Sequence, residues 1–524
     1  MSSTLYSSWS AAGRFQLLCA LVLFVSMAAV LYQPYLLWLP RGIHEWAQAD
    51  RLAIALSFYD YGFDFWHPRT FSLESTDGIT GVEFPLVSYV AALLGGVFGR
   101  TAISPIFRLL TISSTVMGCW YLFRCVFDYT RQFIVALLPG AFLLASPTFV
   151  YYSGNYLADP VSASLAIIGL YYVQRFYYQE REFRDILMGL GLLSVATLLK
   201  LSAGLYLIGV LLLLWLAVIV QKQFTRRERL MLLVASILSS GALVGYTLYS
   251  RYLNNAYHSV LFLAVPRPII GSGNRSYIWS RIREVWWPEY LSWLAADVLK
   301  AAVLTLLWYV VSRSRWRQHR IALVFLALLL VGGRAFYELM GQQFIDHDYY
   351  AIAPYAPLAA LLVASAAILL GQRPERCLVI GLSTVVVAGL LIVGAGRNRQ
   401  RMREPYGDFS NYYMYHWMVD GAKVLANAQV PASAQVLVLG EPASNLALVY
   451  LDRRGITWQT DVVTVPENEI VDRMKTHQLS YLVMSEAHWQ QFKPSHSELV
   501  QRTSTTMHTP NFIMLQLLDK EQGK

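Results

Sequence analysis

The chain has 524 residues, 56% of them hydrophobic and only 14% charged, where soluble domains carry roughly 25% charged residues. An ordinary soluble enzyme is excluded, because so much apolar sequence cannot all be buried in one aqueous core and must face lipid. The 42 Lys and Arg against 33 Asp and Glu leave a net charge of +9, but the basic residues sit in short clusters between apolar runs, which reads as membrane topology and not as a nucleic-acid partner.

The first apolar run, Phe15 to Leu39, is long enough to cross a bilayer and ends without a small-x-small cleavage site, so it reads as an uncleaved anchor. Further spans are expected at 105–127, 133–150, 156–174, 185–199, 201–221, 230–250, 296–312, 321–340, 351–370 and 377–396, giving about eleven transmembrane helices. The run Phe84 to Phe98 holds only 15 residues and is expected to lie flat at the interface. Cysteines 19, 119, 125 and 377 lie in or beside apolar segments, without CxxC spacing, and suggest neither a disulfide framework nor a zinc site.

With that flat helix uncounted, one side receives five basic connections: Arg124 and Arg131; Arg175, Arg181 and Arg184; Lys222, Arg226, Arg227 and Arg229; Arg313, Arg315, Arg317 and Arg320; and Arg373 with Arg376. That side is expected to be the cytoplasm. Residues 40–104, 251–295, 341–350 and everything after about 397 then fall outside it. Two groups run against the rule there: Arg267, Arg275, Arg281 and Arg283, and the cluster Arg397, Arg399, Arg401 and Arg403.

From about Tyr406 the composition becomes that of a globular domain. Ala434 to Gly440 and Ser480 to Ser485 read as buried strands, and 411–427, 443–453 and 466–477 as helices, which together suggest a small α/β domain. Gly440 stands alone before Glu441 and Pro442, so no glycine-rich phosphate loop is present there, and the tail is expected to act as a lid or acceptor-docking module. The expected division is a transmembrane domain, 1–400, with a first extracytoplasmic loop at 40–104 and a second large one at 251–295, followed by an α/β domain at 401–524.

Ionisable groups at membrane depth cost roughly 2.5–3.5 kcal/mol, so the polar residues at span ends are informative. They converge on the extracytoplasmic side. His44, Glu45, Trp46, Gln48 and Asp50 follow the first span, Glu83 precedes Phe84-Pro85, and NYLADP carries Asn155 and Asp159. Lys200 sits between two apolar runs, and DHDYY places Asp346, His347, Asp348, Tyr349 and Tyr350 before another. Each also has a plainer reading. Asp50 would cap a helix at 51–61, Asp159 would cap one begun by Pro160, and Asp346 or Asp348 would cap 351–370. Lys200 would snorkel, Tyr349 and Tyr350 would join an interfacial belt, and Trp286 and Trp287 are expected as interfacial anchors.

The strings HEWAQADRLAIALSFYDYGFDFWHPR and GVEFPLVSYVAALLGGVFG, followed by NYLADP, LLKLSAG and DHDYYAIAPYAPLAALL, resemble the loops of the GT-C membrane glycosyltransferases. The resemblance is to the branch with protein O-mannosyltransferases and the lipid A aminoarabinose transferase, and covers about residues 10 to 400. It implies a GT-C type polytopic α-helical fold with interfacial helices. It also implies a polyprenyl-phosphate sugar donor, an inverting single displacement, and a glycolipid, polysaccharide or protein acceptor. Asp50 is the implied base, with Glu45 as the alternative, because relatives often carry an Asp-Glu pair where this chain has HEWAQAD. Glu83 and Asp159 are implied to bind the acceptor or serve as a second acid, and Lys200, Arg267 and Arg275 to contact the donor phosphate. His347, Tyr349 and Tyr350 are implied substrate contacts. Some relatives use a divalent ion (Mg, Mn or Zn), for which Glu83 and His258 are candidate ligands. A multi-pass protein of a bacterial inner membrane, with the C-terminal domain in the periplasm, is the expected setting. Rival readings are a lipid-linked oligosaccharide polymerase or ligase, a transporter or flippase, and a non-catalytic scaffold. A transporter calls for midplane charges and repeated broken helices, and neither is evident in the sequence.

Overall fold

The structure is a computed structural model and describes residues 11–178, 181–221, 224–262, 265–312, 320–372, 376–403 and 415–518. Lys222, Arg313, Arg315, Arg317, Arg373, residues 406–410 and the first residues of the helix expected at 411–427 lie outside them. Two compact units organise the chain. One takes the described residues of Met1–Leu36, Arg108–Thr247 and Ala264–Glu404, the other those of Leu37–Phe107, Leu248–Leu263 and Pro405–Lys524.

In the first unit every run expected to span is helical. Eight described helices are long and apolar enough to cross a membrane singly, or nine if one bent pair counts as a span. That pair replaces the single span expected at 133–150: Phe133–Leu144 and Pro147–Ser153 meet at 79°. The cause is local. Pro147 pushes the residue before it out of the helical region, Ser146 lies at ψ 111, and its hydroxyl caps the new helix by accepting from Phe149 N at 3.2 Å.

Helices Asp159–Tyr178 and Phe183–Leu199 form a tight hairpin whose backbones touch at two glycines. A methyl group on Gly169 would meet Gly189 O at 3.0 Å, and one on Gly189 would meet Gly169 O at 2.9 Å. Small residues permit this approach, which gives packing where lipid offers no hydrophobic drive between helices. Buried acids inside the unit are given partners, as their desolvation requires. Asp185 lies 3.2 Å from Arg175, and Tyr171 donates to Asp128 at 2.9 Å.

The same principle bears on two of the eight arginines that run against the rule, both in the cluster from Arg397 to Arg403. Arg397 reaches Glu289 at 2.9 Å, and the fully buried Arg401 bonds Glu289 at 2.6 Å and also pairs with Asp348. Two cations of that cluster are thus neutralised where they stand. Trp286, expected as an interfacial anchor, is instead fully buried, and its indole N–H donates to Phe344 O at 2.6 Å. Trp287 is 43% exposed.

The second unit carries helices Glu45–Asp60 and Leu86–Phe98 and a five-stranded sheet. Its strands are β1 (Val436–Leu439), β2 (Gly455–Trp458), β3 (Tyr481–Ser485), β4 (Thr503–His508) and β5 (Phe512–Leu517), in the order β2-β1-β3-β5-β4. β1 pairs in parallel with β2 and β3, while β5 runs antiparallel to β3 and β4. All four residues of β1 are buried, as suits a central parallel strand covered on both faces. Helices Leu446–Leu451 and Glu467–Thr476 match the expected positions, whereas β2, β4 and β5 were not expected. Residues 71–73 of the first loop join this sheet: Gly455 N donates to Phe71 O at 3.1 Å and Leu73 N to Gly455 O at 2.7 Å.

Candidate functional site

In the second unit the string HEWAQAD folds into the start of helix Glu45–Asp60. Its N-cap is His44, at φ 56, so Asp50 lies in the second turn and does not cap the helix. Glu45 is fully buried and its carboxylate accepts from Gly42 N at 3.1 Å, closing the turn that starts the helix. Gln48 donates to Ile43 O at 3.0 Å and braces the same turn. Asp50 instead accepts from the side chain of Asn445, Nδ2 to Oδ1, at 2.8 Å. Burial raises the Asp50 carboxyl from 3.8 to about 6, against the opposing pull of the Asn445 bond and of nearby Arg51.

Arg51 acts on Asp50 through its charge. Its guanidinium reaches Glu83 at 2.8 Å and lies 4.9 Å from the Phe262 ring. Glu83 is therefore engaged by the cation that follows the base candidate in sequence. His258 is exposed, at φ 55, on a segment where Asn254 accepts from Gly81 N at 2.7 Å. Among the described residues no group of three or more His, Cys, Asp and Glu is placed to hold a metal ion. With Glu83 already bound to Arg51, these residues do not fit the divalent-ion site that was expected of them.

In the first unit Lys200 lies between helix Phe183–Leu199 and a short turn at Leu201–Ala203. Its ammonium is 3.4 Å from Asp159, and both side chains are nearly fully buried. The rings of Tyr349 and Tyr350 lie 5.4 and 5.3 Å from the ammonium and stack on one another at 5.2 Å. His347 meets both rings edge-on at 5.4 and 5.5 Å. The plain readings of Lys200 as a snorkelling side chain and of Tyr349 as a belt residue do not survive this burial. Asp159 opens its helix, and its carboxylate is turned to the lysine. Asp348 is fully buried, accepts from Tyr152 at 2.7 Å and pairs with Arg401, so it is a bracket for the turn bearing the tyrosines and not only a cap.

Arg267 and Arg275 join neither group. Arg267 is exposed, and Arg275 is 3.1 Å from Glu338. The PRPIIGSGNR stretch is not wholly a loop either, because a helix runs from Gly271 to Arg281.

Asn445 was not foreseen. The only sequence trace of it is a turn string, EPASN, directly after a buried strand, the position where ligand-facing loops of parallel sheets occur. Two neighbours complete its setting: Asn445 Oδ1 accepts from Ser72 N at 3.0 Å, and Glu441, in the same turn, accepts from Ala443 N at 3.0 Å.

No family model and no curated protein matches this sequence. Solved structures do. The crystal structure of ArnT from Cupriavidus metallidurans bound to undecaprenyl phosphate superposes with a TM-score of 0.58 at 15% identity, over 98% of this chain and 100% of that one. The archaeal oligosaccharyltransferase AglB from Archaeoglobus fulgidus, in complex with an inhibitory peptide and a dolichol-phosphate, gives a TM-score of 0.56 at 12% identity, over 91% of this chain and 70% of that one. The arabinofuranosyltransferase AftD from Mycobacteria gives 0.56 at 13% identity, over 98% of this chain and 40% of that one. The chain therefore has the fold of the GT-C membrane glycosyltransferases, with the small C-terminal sheet attached, and is a multi-pass membrane protein.

Proposed function

We propose that the protein is an integral-membrane glycosyltransferase that moves a sugar from a polyprenyl-phosphate donor to an extracytoplasmic acceptor, a glycolipid, polysaccharide or protein. The observation that carries this reading is the GT-C fold across 98% of the chain, joined to a desolvated carboxylate, Asp50, in the expected first-loop string. The relatives with undecaprenyl phosphate and dolichol-phosphate bound support the donor class. The setting that fits is a bacterial inner membrane with the C-terminal domain in the periplasm.

In this reading the reaction is one displacement. The acceptor's hydroxyl or amine attacks the anomeric carbon as the bond to the phosphate oxygen breaks, so configuration inverts and the polyprenyl monophosphate leaves with the bonding pair. Asp50 takes the acceptor's proton. A base titrating near 6 is ionised at neutral pH yet close enough to it to accept a proton efficiently. Lys200, whose ammonium lies 3.4 Å from Asp159, is assigned to the phosphate oxygens, where its charge would stabilise the negative charge that gathers as the donor bond breaks. His347, Tyr349 and Tyr350 shape the surroundings of that ammonium. Glu83, braced by Arg51, is assigned to acceptor positioning; no step is routed through a metal ion.

The test incubates the purified protein in detergent or nanodiscs with short-chain polyprenyl phosphate sugars and measures the polyprenyl phosphate released. Release with at least one donor, abolished in a folded Asp50→Asn variant, is the expected result. Near-normal release by that variant would remove the assignment of the base.

A further inference from the structure

Asn445 occupies the N-cap position of helix Leu446–Leu451, where an Asn side chain ordinarily accepts a hydrogen bond from the helix's first turn. It makes no such bond. Its side chain is fully buried and bridges outward instead, with Oδ1 accepting from Ser72 N at 3.0 Å and Nδ2 donating to Asp50 Oδ1 at 2.8 Å. The backbone N–H of Ser72 can bond only an acceptor, so it fixes which end of the amide faces Asp50. Ser72 is itself immobilised, since the residues on either side of it are tied to Gly455 at the start of β2. A residue that forgoes its local cap, with both ends of its amide assigned by rigid partners, is set up for its tertiary contact.

We infer that Asn445 is a positioning residue through which the C-terminal α/β domain holds the Asp50 carboxylate in place for proton transfer. The inference rests on Asp50 being the base of the proposed transferase. It makes the C-terminal domain a working part of the site, beyond the lid or acceptor-docking role expected of it. Among the described residues the charge that acts on the Asp50 carboxyl is that of Arg51, which pairs with Glu83, and both belong to the first loop. Asn445 is the contribution from the tail, and it is a neutral donor. Such a donor lowers the cost of ionising a desolvated acid without quenching its basicity with a full counter-charge.

The test compares wild type, Asn445→Ala and the isosteric Asn445→Asp as full-length protein. Two quantities are measured for each. One is the pH profile of kcat and KM for polyprenyl phosphate release. The other is the titration of the Asp50 carboxyl by infrared difference spectroscopy, its band assigned by its loss in Asp50→Asn. Loss of a hydrogen bond to a charged group should move the acidic limb and the infrared titration of Asn445→Ala upward by about one to two pH units, with kcat reduced at neutral pH and the donor KM unchanged. Asn445→Asp keeps the volume and an acceptor for Ser72 N but puts a second carboxylate against the first, and should shift both further. A merely structural role would lower stability or yield and leave the Asp50 titration where wild type has it; that result overturns the inference. If Asn445→Ala fails to fold, Asn445→Asp decides by the same two readouts. Turnover surviving in Asp50→Asn defeats the underlying assignment of the base instead, whereas a dead Asp50→Asn with an unmoved limb in both Asn445 variants defeats this inference alone.

Discussion

Two acids, one in each compact unit, were singled out by the same argument and are treated in opposite ways by the fold. Asp159 is buried against Lys200 at 3.4 Å, so its charge is compensated by a cation. Asp50 is desolvated but faces a neutral amide, while the guanidinium of Arg51, whose charge also acts on it, reaches Glu83. Pairing with a cation lowers the cost of burial and also makes a carboxylate a poor base. Among the described residues Asp50 has no direct counter-ion, which costs stability and keeps a proton acceptor in the useful range. On the proposed reading, the contrast separates a cation for the donor phosphate and its partner acid from the reactive acid, a distinction that residue type alone does not provide.

The largest effect expected from breaking this contrast is on turnover. Asp50→Asn should lower kcat by about 10²- to 10⁴-fold, the contribution of a general base, and Asn445 should still find an oxygen to bond. Wild-type turnover in the variant is the outcome against it. The opposite behaviour is expected at the other acid. Lys200→Met leaves the Asp159 charge buried and should destabilise the fold by about 3–5 kcal/mol, while Lys200→Met with Asp159→Asn should recover most of that loss but not activity. Thermal unfolding of the three proteins in the same detergent checks this, and a double variant no more stable than the single one would break the comparison.

The pH dependence carries a definite sign. The folded Asp50 pKa, about 6, lies above its ordinary 3.8, so between those values the folded state holds a proton that the unfolded chain lacks. Stability should therefore fall as pH rises through that window and level off above it. Asp50→Asn, which does not titrate, should match wild type near pH 4 and exceed it by about 1–3 kcal/mol at pH 7. In the same window wild-type kcat/KM should climb with pH, so activity and stability move in opposite directions. Scanning Tm and rate across pH 4 to 8 tests both together.

The smallest expected effect concerns Arg51. Its pair with Glu83 is partly exposed and worth no more than about 1 kcal/mol, and its pull on Asp50 is secondary to burial. Arg51→Met should nudge the acidic limb upward by less than the Asn445 variants do. A larger shift would make Arg51, and not Asn445, the main partner of the base.

Much of the membrane part was legible because its physics is one-dimensional. A run of apolar residues long enough to span must satisfy its backbone internally, so each of the expected runs is helical. The bend at Ser146-Pro147 was written in the residues but was read through, because hydropathy averages over a proline. Within the cluster from Arg397 to Arg403, Arg397 and Arg401 are matched by Glu289 and Asp348, partners more than fifty residues away along the chain that a local reading does not connect. In the tail, β1 and β3 were found by their apolar runs, whereas β4, with the sequence TSTTMH, is a Thr-rich edge strand lacking such a run.

What the linear order of residues determined by itself was the solvent, the helices, and the short list of polar residues placed where apolar runs end, since each depends on composition within about twenty neighbours. Only tertiary structure decided which of those polar residues became paired and which was left able to titrate. Desolvation and hydrogen bonding are set by whatever packs alongside, and the amide that faces Asp50 comes from 395 positions further along the chain.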